Sequence, residues 1–256
     1  MVLPIGSVNP TSRFSNRAEN YARFRPGYPD GLFAFWETAM SIKASDCIVD
    51  IGSGTGLFAE PFLKRGFSVV CIEPNDDMRK AGEERLKKYV AFQSIGSTAE
   101  GTGLPDESVD LITVAQTFHW LDPIGARLET KRVLKPEGQV VLAWNRQTSQ
   151  SEFEKKYTAL RNQYRIGEPG PVQIDPVAIQ QFFAPAVPVV KTFENEQLHD
   201  FEGLKGQLLS KSYIPLPGHE SYDAMITDLI KLFVNYNEGG LVRIRYETLV
   251  YYGRPG

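Results

Sequence analysis

Three glycines at alternate positions, Gly52, Gly54 and Gly56, follow the expected strand end Ile48–Ile51, apolar but for Asp50, and lead straight into an expected helix from Leu57 to Lys64. Glycine at a strand-to-helix turn accepts positive φ and has no Cβ, so a ligand can approach the backbone closely. The helix start offers free N–H groups and the positive end of its dipole, which suits a polar or anionic small molecule. Spacing narrows the choice. A dinucleotide fingerprint needs its third glycine at residue 57, where this chain has Leu57, and a phosphate-gripping loop ends in Gly-Lys-Ser/Thr, whereas the first lysine after these glycines is Lys64. Glu73 ends the next strand, about twenty residues past Gly52, where an acid can grip a ribose hydroxyl pair. Glycine loop and acid together call for a nucleoside, with nothing that especially suits a pyrophosphate.

Other reactive groups are sparse. The three histidines, His119, His199 and His219, are far apart and lack ligand spacing, so no metal site is expected. Cys47 and Cys71 fall in neighbouring expected strands; a disulfide between them is conceivable, but free buried thiols in a cytoplasmic protein are the expectation.

The elements that position these groups alternate. Strands are expected over Cys47–Ile51, Val69–Glu73, Val90–Ser94, Val109–Ala115 and Gln139–Trp144, with helices between them: Asp77–Tyr89, capped by Asn75 or Asp76, and Pro123–Leu134. Short apolar strands alternating with helices imply a parallel sheet covered on both faces, with ligand chemistry at its carboxyl edge. After Asn145 the alternation stops. Glu152–Arg165 and residues 202–237 read as helical, while Val189–Phe193 and Arg243–Gly253 read as two strands forming an antiparallel edge hairpin. The fold class is therefore α/β: a Rossmann-like doubly wound sheet of five parallel strands plus that hairpin, with a helical cap. The expected organisation is an N-terminal helical lid over 1–40, a core over 41–148, a cap from 149–185 and 200–240, and C-terminal strands over 186–199 and 241–256.

The 256 residues are 42% hydrophobic and 23% charged, ordinary for one globular domain, and the net charge of −3 gives no global pull toward nucleic acid or an anionic membrane. No apolar run reaches the roughly 18 residues of a membrane helix, and the first ten residues do not read as a signal peptide. The expected partner is a small molecule, with the chain a monomer or homodimer.

Taken together these residues resemble the class I S-adenosylmethionine-dependent methyltransferases. Ile48–Gly56 is similar to the family's first motif and Glu73-Pro-Asn75 to its acidic strand end; the segment Thr98–Asp110, with its Leu-Pro-Asp, and Arg132-Val-Leu-Lys-Pro-x-Gly138 resemble later landmarks. More narrowly, Ala115-Gln-x-Phe-His-Trp120, Ala143-Trp-Asn145, Ser210-x-Ser-Tyr213 and Tyr246–Gly253 resemble the trans-aconitate methyltransferase and "type 11" small-molecule branch. The resemblance implies S-adenosyl-L-methionine as cofactor, with S-adenosylhomocysteine as product. It implies that backbone at Gly52, Ser53, Gly54, Thr55 and Gly56 lines the methionine portion and ribose, that Asp50 orients this loop through hydrogen bonds, and that Glu73 accepts the ribose hydroxyls. Pro74 and Met78 would pack on the adenine faces, Thr98 and Ala99 would meet its edge, and Gln116 would face the sulfonium carbon. Many relatives carry Asp at the position of Thr98. Tyr21 and Arg25 would close over the cofactor. For the acceptor, Tyr28, Phe118, His119, Trp120, Asn145, Ser212 and Tyr213 are the implied lining, and His119 would serve as general base because imidazole changes charge near neutral pH. Arg161, Arg165 and Lys211 would meet an acidic substrate. Direct transfer of a methyl group to an oxygen, nitrogen or carbon nucleophile is the expected reaction. Two alternatives remain open, a cofactor-binding module without turnover and an NAD-dependent oxidoreductase, the latter disfavoured by Leu57. A nucleic-acid methyltransferase would call for a basic face and an Asn/Asp-Pro-Pro-Tyr-type loop, where this chain has Gln116-Thr-Phe-His.

Overall fold

The computed structural model describes residues 22–167 and 174–256. Among these, seven strands form one sheet in the order β3-β2-β1-β4-β5-β7-β6. The strands are β1 (Cys47–Ile51), β2 (Ser68–Ile72), β3 (Phe92–Ile95), β4 (Val109–Ala115), β5 (Leu134–Gln147), β6 (Val189–His199) and β7 (Val242–Gly253). The first five are parallel, and β7 runs antiparallel to both β5 and β6.

Strand periodicity explains the double covering. In β1, Ile48 enters one core while Val49 and Ile51 enter the other; in β5, Val141 and Ala143 oppose Val140, Leu142 and Trp144 in the same way. One core is closed by α1 (Asp30–Ala39), whose Phe33 and Trp36 pack with Phe58 and Phe62 around α2 (Ala59–Lys64). The other is closed in part by α4 (Pro123–Val133) and α6 (Pro176–Phe183), the latter through Ile179, Phe182 and Phe183. Helix α3 (Asp76–Leu86) starts at Asn75, whose side chain accepts from the Met78 amide.

A third core holds the cap: Phe153, Tyr157 and Leu160 of α5 (Glu152–Gln163), Leu204 and Leu208 of α7 (Phe201–Leu209), and Met225 and Leu229 of α8 (Tyr222–Tyr236), seated on Val242, Ile244 and Tyr246 of β7.

The structure departs from the sequence reading in several places. The helix after the glycines begins at Ala59 and not Leu57, so it spans six residues. Strand β5 reaches Gln147 because residues 145–147 pair with Tyr246–Thr248 of β7. The C-terminal strands are antiparallel neighbours but not a hairpin, since α7 and α8 stand in the connection between them and β7 is interior. Helix α6, expected within the cap, instead joins the sheet core, where Phe182 meets Phe118 edge-on. Arg127 pins that helix through the carbonyls of Phe182 (3.0 Å) and Ala184 (2.5 Å). Both cysteines are free, and the register sets Cys47 beside Ser68 and Cys71 beside Asp50, so they do not face each other.

Candidate active site

A cavity of about 650 Å³ lies between the carboxyl edge of β1, β2, β4 and β5 and the cap. Its sheet side is built by the glycine loop. Gly52, Gly54 and Gly56 all take positive φ, at 64°, 56° and 76°. The amides of Gly52 and Ser53 both donate to the Ile72 carbonyl (2.8 and 3.1 Å), and the Gly54 amide donates to Glu73 Oε2 (2.8 Å). The other Glu73 oxygen accepts from the Asn75 amide at 2.9 Å. Glu73 is 8% exposed, and burial raises its pKa against the opposing pull of these two amides. Each carboxylate oxygen retains a second lone pair that can accept a ligand hydroxyl.

Asp50 does not orient the loop as expected. Its Oδ1 accepts from Thr113 Oγ1 of β4 (2.7 Å), and its Oδ2 is buried at the cavity without a hydrogen-bond partner. Burial pushes its carboxyl up to about 7. The native state thus favours the protonated form, so stability is fully present below the unfolded value near 4 and is lost as pH rises through about 7. Asp50→Asn keeps the Thr113 acceptor and removes that penalty, so the ligand-free variant should melt higher than wild type at pH 8, by up to about 4 kcal/mol. A thermal melt at pH 5 and pH 8 checks this; equal shifts at both would refute it.

Thr55 and Gly56 do not reach the cavity. Thr55 is 1% exposed, and a Cβ on Gly56 would lie 2.5 Å from Leu86 Cδ1, so this third glycine lets α3 pack against the loop instead of admitting ligand. Pro74, Met78, Thr98 and Ala99 all line the cavity. The segment after β3 is fixed by buried Glu129 of α4, which accepts from the Thr102 amide (2.7 Å) and hydroxyl (2.5 Å).

At the end of β4, Gln116 adopts φ 61° and sends its side-chain amide to the Asn145 carbonyl at 3.3 Å. A left-handed non-glycine residue at the carboxyl end of a central strand is backbone strain placed at the cavity. The following 3-10 turn, Phe118–Trp120, separates its residues. His119 and Trp120 line the cavity, whereas Phe118 is 4% exposed and packs edge-on to Trp144 and Phe182; it is core and not acceptor lining. Burial pushes the His119 imidazole down to about 4, and its Nδ1 has no hydrogen-bond partner. The expected charge change near neutral pH is therefore overturned: the ring is neutral there and a weak base. His119→Gln should lower turnover less than about tenfold, with no limb of the rate profile near pH 6.5 removed by the change. A pH–rate profile of both proteins measures this.

The strap before α1 closes one side. Asn145 Nδ2 donates to the Gly27 carbonyl (2.9 Å), Asn195 Nδ2 donates to the same oxygen (2.8 Å), and Asn145 Oδ1 accepts from Thr248 Oγ1 (2.6 Å). Asn145 lines the cavity, but its side chain is engaged in holding the strap. Tyr28 stands edge-on to Phe58 at 4.4 Å, and Arg25 Nη2 donates to the Ser210 carbonyl at 3.2 Å; both line the cavity, as do Ser212 and Tyr213. Tyr21 lies outside the described residues.

Sequence reasoning missed Thr117, Gln207 and Tyr246, which also line the cavity. Thr117 sits directly against Gly52 and was legible as the neighbour of Gln116; the other two come from the packing of α7 on β7, joined by Gln207 Nε2 donating to the Tyr246 hydroxyl (3.1 Å). Among the described residues no group of three or more His, Cys, Asp or Glu is arranged to hold a metal ion, and no helix is long and apolar enough to cross a membrane.

Residues 49–142 match the family described as a methyltransferase domain. An uncharacterized methyltransferase of Mycobacterium tuberculosis is 36% identical over 132 residues, which are 52% of this chain and 51% of that protein, so the match spans about half of the relative's length. Among solved structures, a putative type II methyltransferase from Anaeromyxobacter dehalogenans superposes with a TM-score of 0.67 at 21% identity, covering 90% of this chain and 98% of that one. A phosphoethanolamine N-methyltransferase of Haemonchus contortus, in complex with phosphomonomethylethanolamine and S-adenosylhomocysteine, superposes with a TM-score of 0.58 at 15% identity, covering all of this chain and 62% of that one. These likenesses to solved structures concern the fold.

Proposed function

We propose that this chain is a class I S-adenosylmethionine-dependent methyltransferase and that it transfers a methyl group from S-adenosyl-L-methionine to a small-molecule nucleophile. The observation that carries this reading is Glu73: a nearly buried carboxylate that clasps the Gly54 amide while lining the cavity beside bare backbone. The residues present fit the cofactor. Glu73 would accept the ribose hydroxyls, Pro74 and Met78 would cover the adenine, and Thr98 and Ala99 would meet its edge. The unpartnered Asp50 Oδ2 is suited to the methionine ammonium, which would also stabilise its ionised form.

When bound, the cofactor supplies an already activated methyl group, so the protein's own work is positioning and exclusion of water. Gln116, held in its left-handed conformation, aims its side chain across the end of β4 and β5. The strap, pinned at Gly27, covers the cavity from the side, and the cap excludes solvent from above. The neutral His119 ring supports an acceptor that needs no strong base. The two free thiols support a reducing, cytoplasmic setting.

The test is isothermal titration of the purified protein with S-adenosylhomocysteine, followed by incubation with methyl-labelled cofactor and a panel of small acids, amines and phenols. Saturable binding at one site and a labelled small-molecule product are expected. Absence of binding would remove the cofactor assignment, and binding without any labelled product would favour a module without turnover.

A further inference from the structure

Three residues outside the cavity lining, Gly206, Asn195 and Thr248, converge on the strap. The strap gives Arg25, Pro26 and Tyr28 to the cavity, yet residues 26–29 belong to no helix or strand, so side chains elsewhere must fix their place. The first hold is steric. A Cβ on Gly206 of α7 would lie 2.2 Å from Phe24 Cδ2 and 2.3 Å from its Cε2, so the Phe24 ring sits in the notch this glycine leaves. Gly206 is buried within α7, where alanine is the better helix former. Its backbone is helical and does not call for glycine; the seat for Phe24 does.

The second hold is a pair of amides on one oxygen. Asn145 Nδ2 and Asn195 Nδ2 both donate to the Gly27 carbonyl, at 2.9 and 2.8 Å. Asn145 presents its NH2 to the strap only while its amide is turned that way, and two donors turn it. Thr248 Oγ1 (2.6 Å) and Asn195 Nδ2 (3.3 Å) both reach Asn145 Oδ1. Thr248 is fully buried in β7, so its hydroxyl has no water to turn to. The Asn145 main-chain carbonyl accepts from Gln116 Nε2 at 3.3 Å. One residue thus ties the strap to the side chain that would face the transferred methyl.

We propose that Gly206, Asn195 and Thr248 are positioning residues of the methyl transfer: they seat the strap against the cavity and so set how long a bound nucleoside stays. This rests on the cofactor reading above. The three residues act through the Phe24 ring, the Gly27 carbonyl and the Asn145 amide. With the strap seated, Arg25 Nη2 reaches the Ser210 carbonyl (3.2 Å), so strap and cap close the cavity as one wall. With Phe24 out of its notch and the Gly27 carbonyl released, that wall parts, water enters and the ligand leaves.

Chymotryptic cleavage after Phe24 in the ligand-free protein reads the strap, since that bond is cut once the ring leaves its seat and the rate follows the open fraction. Gly206→Ala, Asn195→Ala and Thr248→Val should each speed this cleavage by about three- to tenfold, as the loss of one hydrogen bond does. Cleavage after the buried Phe62, which requires global unfolding, should stay at the wild-type rate. Thr248→Ser should behave as wild type. Valine keeps the shape and serine the hydroxyl, so that contrast assigns the effect to the hydrogen bond and not to packing. Stopped-flow dissociation of S-adenosylhomocysteine should quicken by a similar factor in the three fast-cut variants and not in Thr248→Ser. Wild-type cleavage after Phe24 in those three variants, or faster cleavage with unchanged dissociation, would overturn the proposal. Where Gly206→Ala or Thr248→Val also speeds cleavage after Phe62, Asn195→Ala decides the matter, because Asn195 is half-exposed on the edge strand. Failure of S-adenosylhomocysteine to bind the wild type would strike the cofactor reading, while cleavage without ligand still decides what seats the strap.

Discussion

Glu73→Ala should weaken S-adenosylhomocysteine binding by about 100-fold or more, close to 2.7 kcal/mol. Two effects add. The carboxylate that would receive both ribose hydroxyls is gone, and charge-assisted bonds of that kind are among the strongest a protein makes. The Gly54 and Asn75 amides also lose their acceptor, so the loop and the start of α3 lose the group that ties them together. Glu73→Gln separates the two. Its single carbonyl oxygen can serve one amide, and its NH2 faces the other as donor against donor, so its binding should fall between wild type and alanine. Titration calorimetry with a melting curve as the folding control measures both. Wild-type affinity in the alanine variant would remove Glu73 from the ribose role.

Gly52→Val should abolish detectable cofactor binding. At φ 64° a β-branched residue is strained whatever surrounds it, and here the new Cβ would lie 2.7 Å from Thr117 Cγ2 and 2.8 Å from its Oγ1. The backbone must shift, and with it the Gly52 and Ser53 amides that hang from the Ile72 carbonyl. Gly52→Ala should be milder but still weaken binding by about tenfold, since the collision begins at Cβ. A mutant series of Gly, Ala and Val with undiminished affinity would show that the ligand does not approach the chain at this turn.

What could be read beforehand divides along a physical line. β1 and β4 were bounded correctly because both are apolar on each face and end in turn residues, so local chemistry decides them. The acid at the end of β2 and the Asn75 cap followed from short-range logic of the same kind. Phe118 was misplaced because an aromatic residue beside His119 and Trp120 looks the same whether it faces a ligand or Phe182, which stands 64 positions later in the chain. Helix α6 was assigned to the cap for the same reason: its apolar face says that it packs, but not on what. Gln207 carries no signal in the sequence, and Tyr246 stands out only as part of the terminal Tyr246–Gly253 motif, since a polar residue on a helix and a tyrosine in an alternating strand become a pocket floor only when α7 settles on β7. Arg161, Arg165 and Lys211 are legible together as candidates for an acidic substrate, but their convergence with Arg25 on one cavity belongs to tertiary structure.

The position of β7 bears on how the molecule is made. Residues 242–253 are the last to leave a ribosome among the strands, yet they pair with β5 on one side and β6 on the other. During translation β5 therefore waits with an open flank, and β6 has no neighbour in the sheet to join. The cap rests on the same late segment, so assembly of the cap side of the cavity must trail that of the glycine-loop side, and a nascent chain arrested near residue 240 would expose sticky strand borders to chaperones.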